Sequence, residues 1–129
     1  LQNINSDANA LSVSVGAAGA DKGVAIGVAL TDATASATTN LVGMDAGTND
    51  DVVTNNGTVS ILDSRADAHA AGISVELAGT NSGVSAGVSI ADTLGVAELS
   101  AKGIDGAAGD DLLINNGDIF LQNLQADDD

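Results

Sequence analysis

The chain has 129 residues, with 18 acidic side chains against three basic ones and a formal net charge of −15 at pH 7. This charge excludes nucleic acid as an expected partner and argues against anionic membranes, because both bind basic surfaces. With 44% hydrophobic residues the chain is too apolar to be predicted disordered, and it is long enough for one domain with a modest core.

The apolar residues are unusually small. The chain has one Phe, no Trp, no Tyr, no Pro and no Cys, and it has 16 glycines. Small side chains predict a thin core with closely spaced backbones, held together without disulfides. No apolar run approaches the roughly 20 residues of a membrane-spanning helix, so no membrane insertion is expected.

The sequence contains one pattern twice, and its first occurrence, residues 1–60, predicts strand, turn and strand in chain order. SVSV (12–15) alternates with period two and predicts a strand, and AGADKGV (18–24) reads as a turn. VALTD (28–32) is a second short alternation. A second turn-like heptad, AGTNDDV (46–52), precedes TVSIL (58–62), which again has the strand pattern.

The second copy follows the same order. Residues 61–120 align with 1–60 without gaps, and 20 of the 60 positions are identical. LQNLQADDD (121–129) matches LQNINSDAN (1–9), so the expected organisation is copy one at 1–60, copy two at 61–120 and the start of a third copy at 121–129. The chain starts and stops in the same phase of the repeat. We therefore expect it either to continue covalently into further copies or to stack end to end on a second chain.

A weaker half-period lies inside each copy. Four turn-like heptads align, and their fourth residues are of types that tolerate a left-handed backbone: Asp21, Asn49, Asn81 and Gly109. Five Asp or Asn residues end the aliphatic alternations at spacings of 29, 31, 29 and 31: Asn3, Asp32, Asp63, Asp92 and Asn123. This predicts an all-β, parallel β-helix-like solenoid of about 30 residues per coil. The alternative is a sandwich of antiparallel β-hairpins, one per half-period.

The stretch GIDGAAGDDLLINNGDI (103–119) carries a family resemblance. GAAGDDLLI resembles the calcium-binding nonapeptide of secreted RTX proteins, with Gly106, Gly109, Asp111 and Leu113 on its motif positions. Here the nonapeptide occurs once per copy and not in tandem, which does not support a standard RTX roll. The longer stretch resembles the tandem-repeat domains of very large bacterial surface proteins. That resemblance implies an extracellular or cell-surface adhesin, biofilm-matrix or filament protein with bound calcium.

Six aspartates are the candidate metal ligands. In each copy three carboxylates fall within seven residues, and turn carbonyls could complete the six to eight oxygens that Ca²⁺ takes. The candidates are Asp45, Asp50, Asp51, Asp105, Asp110 and Asp111. The alternative is that they cap turns by bonding their own backbone. That role is the one we expect for Asp32, Asp63 and Asp92. The Asn-Asn-Gly triplets at 55–57 and 115–117 predict turns with stacked asparagines.

Catalysis is not expected. His69 is the only histidine and faces Asn9 in the alignment, and no cysteine is present. Glycosidase chemistry would need aromatic and basic groups for the sugar, and the chain has hardly any. Glu76 and Glu98, the two glutamates, face Gly16 and Thr38 and are expected at the surface.

The function expected from the sequence is structural. The chain would form a filament, matrix fibre or adhesin stalk, stiffened by calcium and assembling with itself end to end. The alternative is a ligand-binding adhesin module for a glycan or host protein. That module would use the segment 66–76 around His69 and Arg65, where the two copies differ.

Overall fold

The computed structural model describes every residue from Leu1 to Asp129 and consists of β-strands and turns. The strands are β1 (Asn5–Asp45), β2 (Val52–Asn55), β3 (Thr58–Asp105), β4 (Leu112–Asn115) and β5 (Asp118–Asp128). No helix long and apolar enough to cross a membrane is present. The predicted all-β class is confirmed.

The strands form two sheets with parallel pairing. One sheet has the order β1-β3-β5 and the other pairs β2 with β4. In the second sheet Val52 lies opposite Leu112 and Asn55 opposite Asn115, and an isolated parallel bridge joins Gln2 to Leu62. Parallel pairing contradicts the antiparallel hairpin alternative for these strands.

Paired residues are 60 apart in the sequence, so the expected spacing of about 30 residues per coil is wrong. The physical reason is that the two turns within one copy differ. The reversal near Gly23 lies within β1, whereas the turn after Asp45 leads into the extra strand β2. Only residues one full copy apart are equivalent, and only they pair.

The chain divides into two compact units, each built from both sequence copies. Unit 1 comprises Leu1–Asp7, Ala37–Asp67 and Ala97–Asp128. Unit 2 comprises Ala8–Ser36, Ala68–Val96 and Asp129. The long strands β1 and β3 contribute to both units, so a unit is not the same thing as a sequence copy.

In unit 2 each copy folds back on itself. The chain runs outward along residues 8–20 or 68–80, here called the outgoing arm, and returns along 24–36 or 84–96, the returning arm. Gly23, at the reversal, has φ 102°, a left-handed backbone that glycine adopts without strain. The Ser12 and Thr31 hydroxyl groups are hydrogen-bonded to each other, which places the two arms in contact.

The space between the arms is one small side chain thick. The Ser74 hydroxyl donates directly to the backbone carbonyl of Ala29 at 2.8 Å. The buried apolar residues of the whole chain are Ala25, Ala29, Ala33, Ala35, Ala37, Leu41, Ile61, Ala66 and Ala68. The predicted thin core of small residues is confirmed.

The larger aliphatic side chains of unit 2 point outward, because alternate residues of a strand face opposite sides. Val15 and Ile26 are exposed by 70% and 67%. Their immediate neighbours along each arm face inward and are Ala, Gly or Ser. Apart from Glu76, unit 2 therefore has small residues inside and aliphatic rows outside.

Unit 1 has the larger buried side chains. Ile61 is completely buried and Leu41 nearly so. A Cβ built on Gly43 would overlap the Val59 side chain and the carbonyl of Gly103, so the glycine allows close approach of the chains here. The Thr39 hydroxyl reaches the Arg65 carbonyl at 3.5 Å.

The left-handed positions differ in part from those expected. Positive φ occurs at Gly109 as predicted, but Asp21, Asn49 and Asn81 lack it. The reversals use glycines instead, because only glycine takes φ near 100° or above without a Cβ clash. The glycines with positive φ are Gly23, Gly47, Gly83 and Gly109.

Three of the predicted Asp and Asn turn residues do adopt a left-handed backbone, and they are one copy apart. Asn3, Asp63 and Asn123 have φ of 54°, 52° and 53°. Asp32 and Asp92 were expected to form turns as well, and that expectation is wrong. They lie exposed within β1 and β3, because the arm continues past them as strand.

Candidate functional site: the aspartate and asparagine rows

The six predicted metal ligands lie in unit 1, on two stacked turns that we call the acidic turn row (45–51 and 105–111). Asp45 and Asp105 start the turns. Each carboxylate accepts a hydrogen bond from the backbone N–H two residues later, at 3.0 Å from Gly47 and 3.2 Å from Ala107. This is the turn-capping geometry that favours Asp at such positions.

The other four aspartates connect the two copies. The backbone N–H of Asp110 donates to the Asp50 carboxylate at 2.9 Å, and the N–H of Asp51 donates to the Asp111 carboxylate at 2.9 Å. The two bonds run in opposite directions between the copies. The Asp50 and Asp111 carboxylates therefore each stabilise the turn of the other copy, and like-charged aspartates come to lie next to one another.

Lys102 neutralises part of this charge in the second copy. Its Nζ lies 2.6 Å from Asp105 Oδ2. That hydrogen bond, together with the N–H of Ala107, lowers the pKa of Asp105, and the same bond raises the pKa of Lys102. The corresponding residue of the first copy is Val42, so only the second copy has this ion pair.

Side chains alone do not complete a calcium site here. The structure contains no group of three or more His, Cys, Asp or Glu side chains placed to hold one metal ion. Four of the carboxylates accept hydrogen bonds from backbone N–H groups, so the additional oxygens would have to come from turn carbonyls. Calcium at these six residues stays a prediction.

The asparagines form the predicted ladder. Asn55 Nδ2 donates to Asn115 Oδ1 at 2.7 Å, and Asn116 Nδ2 donates to Asn56 Oδ1 at 2.9 Å. Asn55 is buried and also accepts the N–H of Gly57 at 3.0 Å. A buried amide with its partners satisfied stabilises one register of the turn.

Asparagine also stacks on aspartate at two further corners. Asn81 donates to Asp21 at 2.8 Å in unit 2, and Asn123 donates to Asp63 at 2.8 Å in unit 1. In each pair the amide replaces the second carboxylate, which removes like-charge repulsion between copies. The structure thus gives these Asp-to-Asn differences between copies a pairing role.

A separate ion pair joins copy two to the residues after it. Arg65 Nη2 lies 3.2 Å from Asp127 Oδ2, and Arg65 Nε is hydrogen-bonded to the Asp67 carboxylate. Asp67 is buried, with 7% of its surface exposed. Arg65 thus connects β3 with β5.

Glu76 was expected at the surface, and that expectation is wrong. Both carboxylate oxygens are buried without a hydrogen-bond partner. The side chain enters the space between the arms, where a Cβ on Gly16 or Gly27 would overlap it. The period-two pattern of the strand predicts this direction, because Glu76 lies an even number of residues from Gly72 and Ser74, which face inward. Glu98 is exposed as expected.

His69 borders an open depression in unit 2 of about 580 Å³. Its lining residues are Asn9, Ala10, Leu11, His69, Ala70, Ala71 and Asp129. This depression overlaps the segment where the two copies differ in sequence.

Comparison with known proteins finds no match. No protein-family model, no curated protein and no solved structure is similar to this chain.

Proposed function

We propose that the chain is a structural segment of an extracellular repeat protein. In this proposal it is a β-solenoid in which each 60-residue copy adds one layer, and it serves as a filament, matrix fibre or adhesin stalk. The extracellular location rests on the resemblance of residues 103–119 to bacterial surface repeats. The layered growth rests on the pairing of equivalent residues.

One observation carries the proposal: β5 pairs with β3 in the same sheet in which β3 pairs with β1. The sheet order is β1-β3-β5, and the Asn123–Asp63 contact again joins residues 60 apart. Because each layer offers the next equivalent backbone groups, with Asn or Asp side chains at equivalent positions, addition of copies is open-ended.

Adding a copy also buries the copy before it. Ala29 in the first copy is 2% exposed, and the Ser74 hydroxyl of the second copy covers its carbonyl. The equivalent residue of the second copy, Ser89, is exposed. Stability should therefore grow with the number of layers, as in other one-dimensional repeat proteins.

Charge opposes this stacking. The chain carries −15, and Asp50 and Asp51 lie next to Asp110 and Asp111. A cation that bridges or screens these carboxylates would favour assembly. We therefore keep calcium, at the acidic turn row, as part of the proposal.

The proposal is tested with chains of two, four and eight copies, built by repeating residues 1–120. We expect the dimension along the stacking direction, measured by small-angle X-ray scattering and negative-stain microscopy, to grow by about 4.8 Å per copy. The melting midpoint should rise with copy number and then level off. Particles whose dimension along the stacking direction does not grow in proportion to copy number, or copies that melt independently, would contradict the proposal.

A second candidate is a ligand-binding adhesin module, favoured by the depression beside His69. A glycan or a host peptide would contact a patch that the repeat does not reproduce, since Asn9 stands in the place of His69 in the first copy. A glycan array probed with the native chain and with His69→Asn tests it. Binding lost in the variant favours this candidate, and no binding by either chain rejects it.

A further inference from the structure

The two outer surfaces of unit 2 are apolar and carry no charge. We define the outgoing face as the odd-numbered residues of 11–19 and 71–79, and the returning face as the even-numbered residues of 24–30 and 84–90. On the outgoing face the large side chains are Leu11, Val13, Val15, Ile73, Val75 and Leu77. On the returning face they are Val24, Ile26, Val28, Leu30, Val84, Val88 and Ile90.

These faces are uncharged although the chain as a whole carries −15. Lys22 precedes the returning face, and Asp32 and Asp92 follow it. The charged side chains therefore flank this face and none lies on it. On the outgoing face the remaining residues are Ala and Gly. Such segregation of apolar and charged residues is typical of a surface that is covered in the working protein.

We propose that these faces pack against the same faces of a second copy of this chain, so that unit 2 associates laterally. A second copy fits because the rows are regular. Val13 and Ile73, and Val15 and Val75, are equivalent residues 60 apart on adjacent strands. Two such flat surfaces can therefore interdigitate as packed sheets do.

The area agrees with a modest interface. A Val, Leu or Ile side chain offers roughly 60–120 Å² of apolar surface, so the aliphatic side chains of one face expose roughly 200–500 Å². Monomers rarely expose a contiguous patch larger than a few hundred Å². A standard interface buries about 800 Å² per partner, so one face forms a smaller interface and gives weak association. The two faces point away from each other, so each would contact a different neighbouring chain.

Charge supports a second copy over a membrane. Anionic lipid would place negative charge at the contact itself, whereas two uncharged faces meet there without added charge. The −15 carried by each chain still opposes association, and this repulsion is screened by salt. Lateral association uses the outer faces and leaves the strand edges free. It is therefore independent of end-to-end growth, and each can fail without the other.

The test is sedimentation velocity of the full chain over a range of concentrations. We expect association that strengthens in sodium sulfate, since sulfate favours apolar burial. The variants Val15→Lys/Val75→Lys on the outgoing face and Val28→Lys/Val88→Lys on the returning face should each weaken association at least about tenfold. Thr38→Lys/Ser100→Lys adds the same charge at exposed positions of unit 1 and should leave association unchanged.

The conservative variant Val15→Thr/Val75→Thr keeps β-branched side chains, and it should also weaken association even if the lysine variants lose their strand signal in circular dichroism. A chain that stays monomeric at every concentration would overturn the proposal. So would equal weakening by the Thr38→Lys/Ser100→Lys control. Flotation of a monomeric chain with phosphatidylcholine vesicles would assign the faces to lipid and overturn it as well.

Discussion

The side-chain amide of Asn116 donates a hydrogen bond to the side-chain oxygen of Asn56 at 2.9 Å, and these two residues are 60 apart in the sequence. The same offset joins Asn115 to Asn55 and Asn123 to Asp63. The 60-residue length of the sequence repeat is therefore also the offset between paired residues. Because of this offset, the contacts of each copy depend on the neighbouring copy.

Equivalent glycines should consequently differ in their tolerance of a side chain. A Cβ on Gly117 would collide with the backbone carbonyl of Gly57, whereas a Cβ on Gly57 meets nothing within 4 Å. We expect Gly117→Ala to lower the free energy of unfolding by about 2–3 kcal/mol, because backbone cannot move aside cheaply. Gly57→Ala, in the same Asn-Asn-Gly triplet, should have little effect. Urea unfolding of the two variants measures this, and equal losses would show that the copies do not stack this way.

Removal of the Glu76 carboxylate should stabilise the chain. Its oxygens are buried without a partner, and an unpaired buried polar group costs about 1–3 kcal/mol. We expect Glu76→Ala to raise the free energy of unfolding by about 1 kcal/mol or more, since alanine matches the other residues between the arms. Glu98→Ala, at the exposed glutamate, is the control and should change little. A loss of stability in Glu76→Ala would mean that the carboxylate has a favourable partner.

A double-mutant cycle tests where the Glu76 side chain lies. A Cβ on Gly27 would overlap its carboxylate. We therefore expect Gly27→Ala to destabilise the native chain more than it destabilises the Glu76→Ala variant, with a coupling energy of about 0.5–3 kcal/mol. Thermal melts of the four proteins give the coupling. Additive effects would place Glu76 away from Gly27.

The Lys102–Asp105 pair should be visible in a pH titration. The hydrogen bond from Lys102 lowers the pKa of Asp105 below the ordinary value of 3.8. Its contribution to stability is therefore complete above that value and is lost as the pH falls through the lowered pKa. Lys102 has a raised pKa, so its contribution is present below 10.5 and is lost as the pH rises through the raised pKa.

The variant Lys102→Val introduces the residue of the first copy and should raise the pKa of Asp105 toward its ordinary value. Carboxyl-carbon NMR measures the titration directly. Lys22→Val removes a lysine in unit 2 and should leave the pKa of Asp105 unchanged. A Lys102→Val variant with the native Asp105 pKa would mean that the ion pair does not form.

Calcium should raise the melting temperature if the acidic turn row binds it. A ligand at 100 times its Kd stabilises the folded state by about 2.7 kcal/mol, provided it does not bind the unfolded chain. We expect Asp110→Asn/Asp111→Asn to abolish the calcium-dependent shift, whereas Asp32→Asn/Asp92→Asn, at exposed strand positions, should retain it. Circular dichroism melts with calcium and then with chelator measure the shift. A melting temperature that ignores calcium would leave these aspartates as turn residues only.

Much of the fold follows from local sequence signals. Period-two alternation predicts the strands, and the alanine and glycine content predicts the thin interior. The repeat of Asn-Asn-Gly predicts that Asn55 and Asn115 stack, because they are equivalent residues of two copies. These features need only neighbouring residues or a direct alignment.

Other features depend on which residues face each other, and the sequence does not settle that. The half-period near 30 residues suggested a shorter coil, yet only the full copy is equivalent at every turn. Glu76 looked like surface variation because its inward direction depends on the phase of the arm. The chain reverses at Gly23 and Gly83 and not at the neighbouring Asp21 and Asn81. Local composition does not distinguish these positions, because Gly, Asp and Asn all tolerate a positive φ.

The most direct test of the 60-residue offset uses engineered cysteines in a chain that has none. Neighbouring residues on parallel strands lie about 4.8 Å apart, within the range that a disulfide spans. We expect Asn56→Cys/Asn116→Cys to form an intramolecular disulfide under mild oxidation, detected by non-reducing electrophoresis and mass spectrometry. We expect Asn56→Cys/Ala86→Cys, which a 30-residue coil would place together, to remain reduced. A disulfide in the second variant and not in the first would contradict the account.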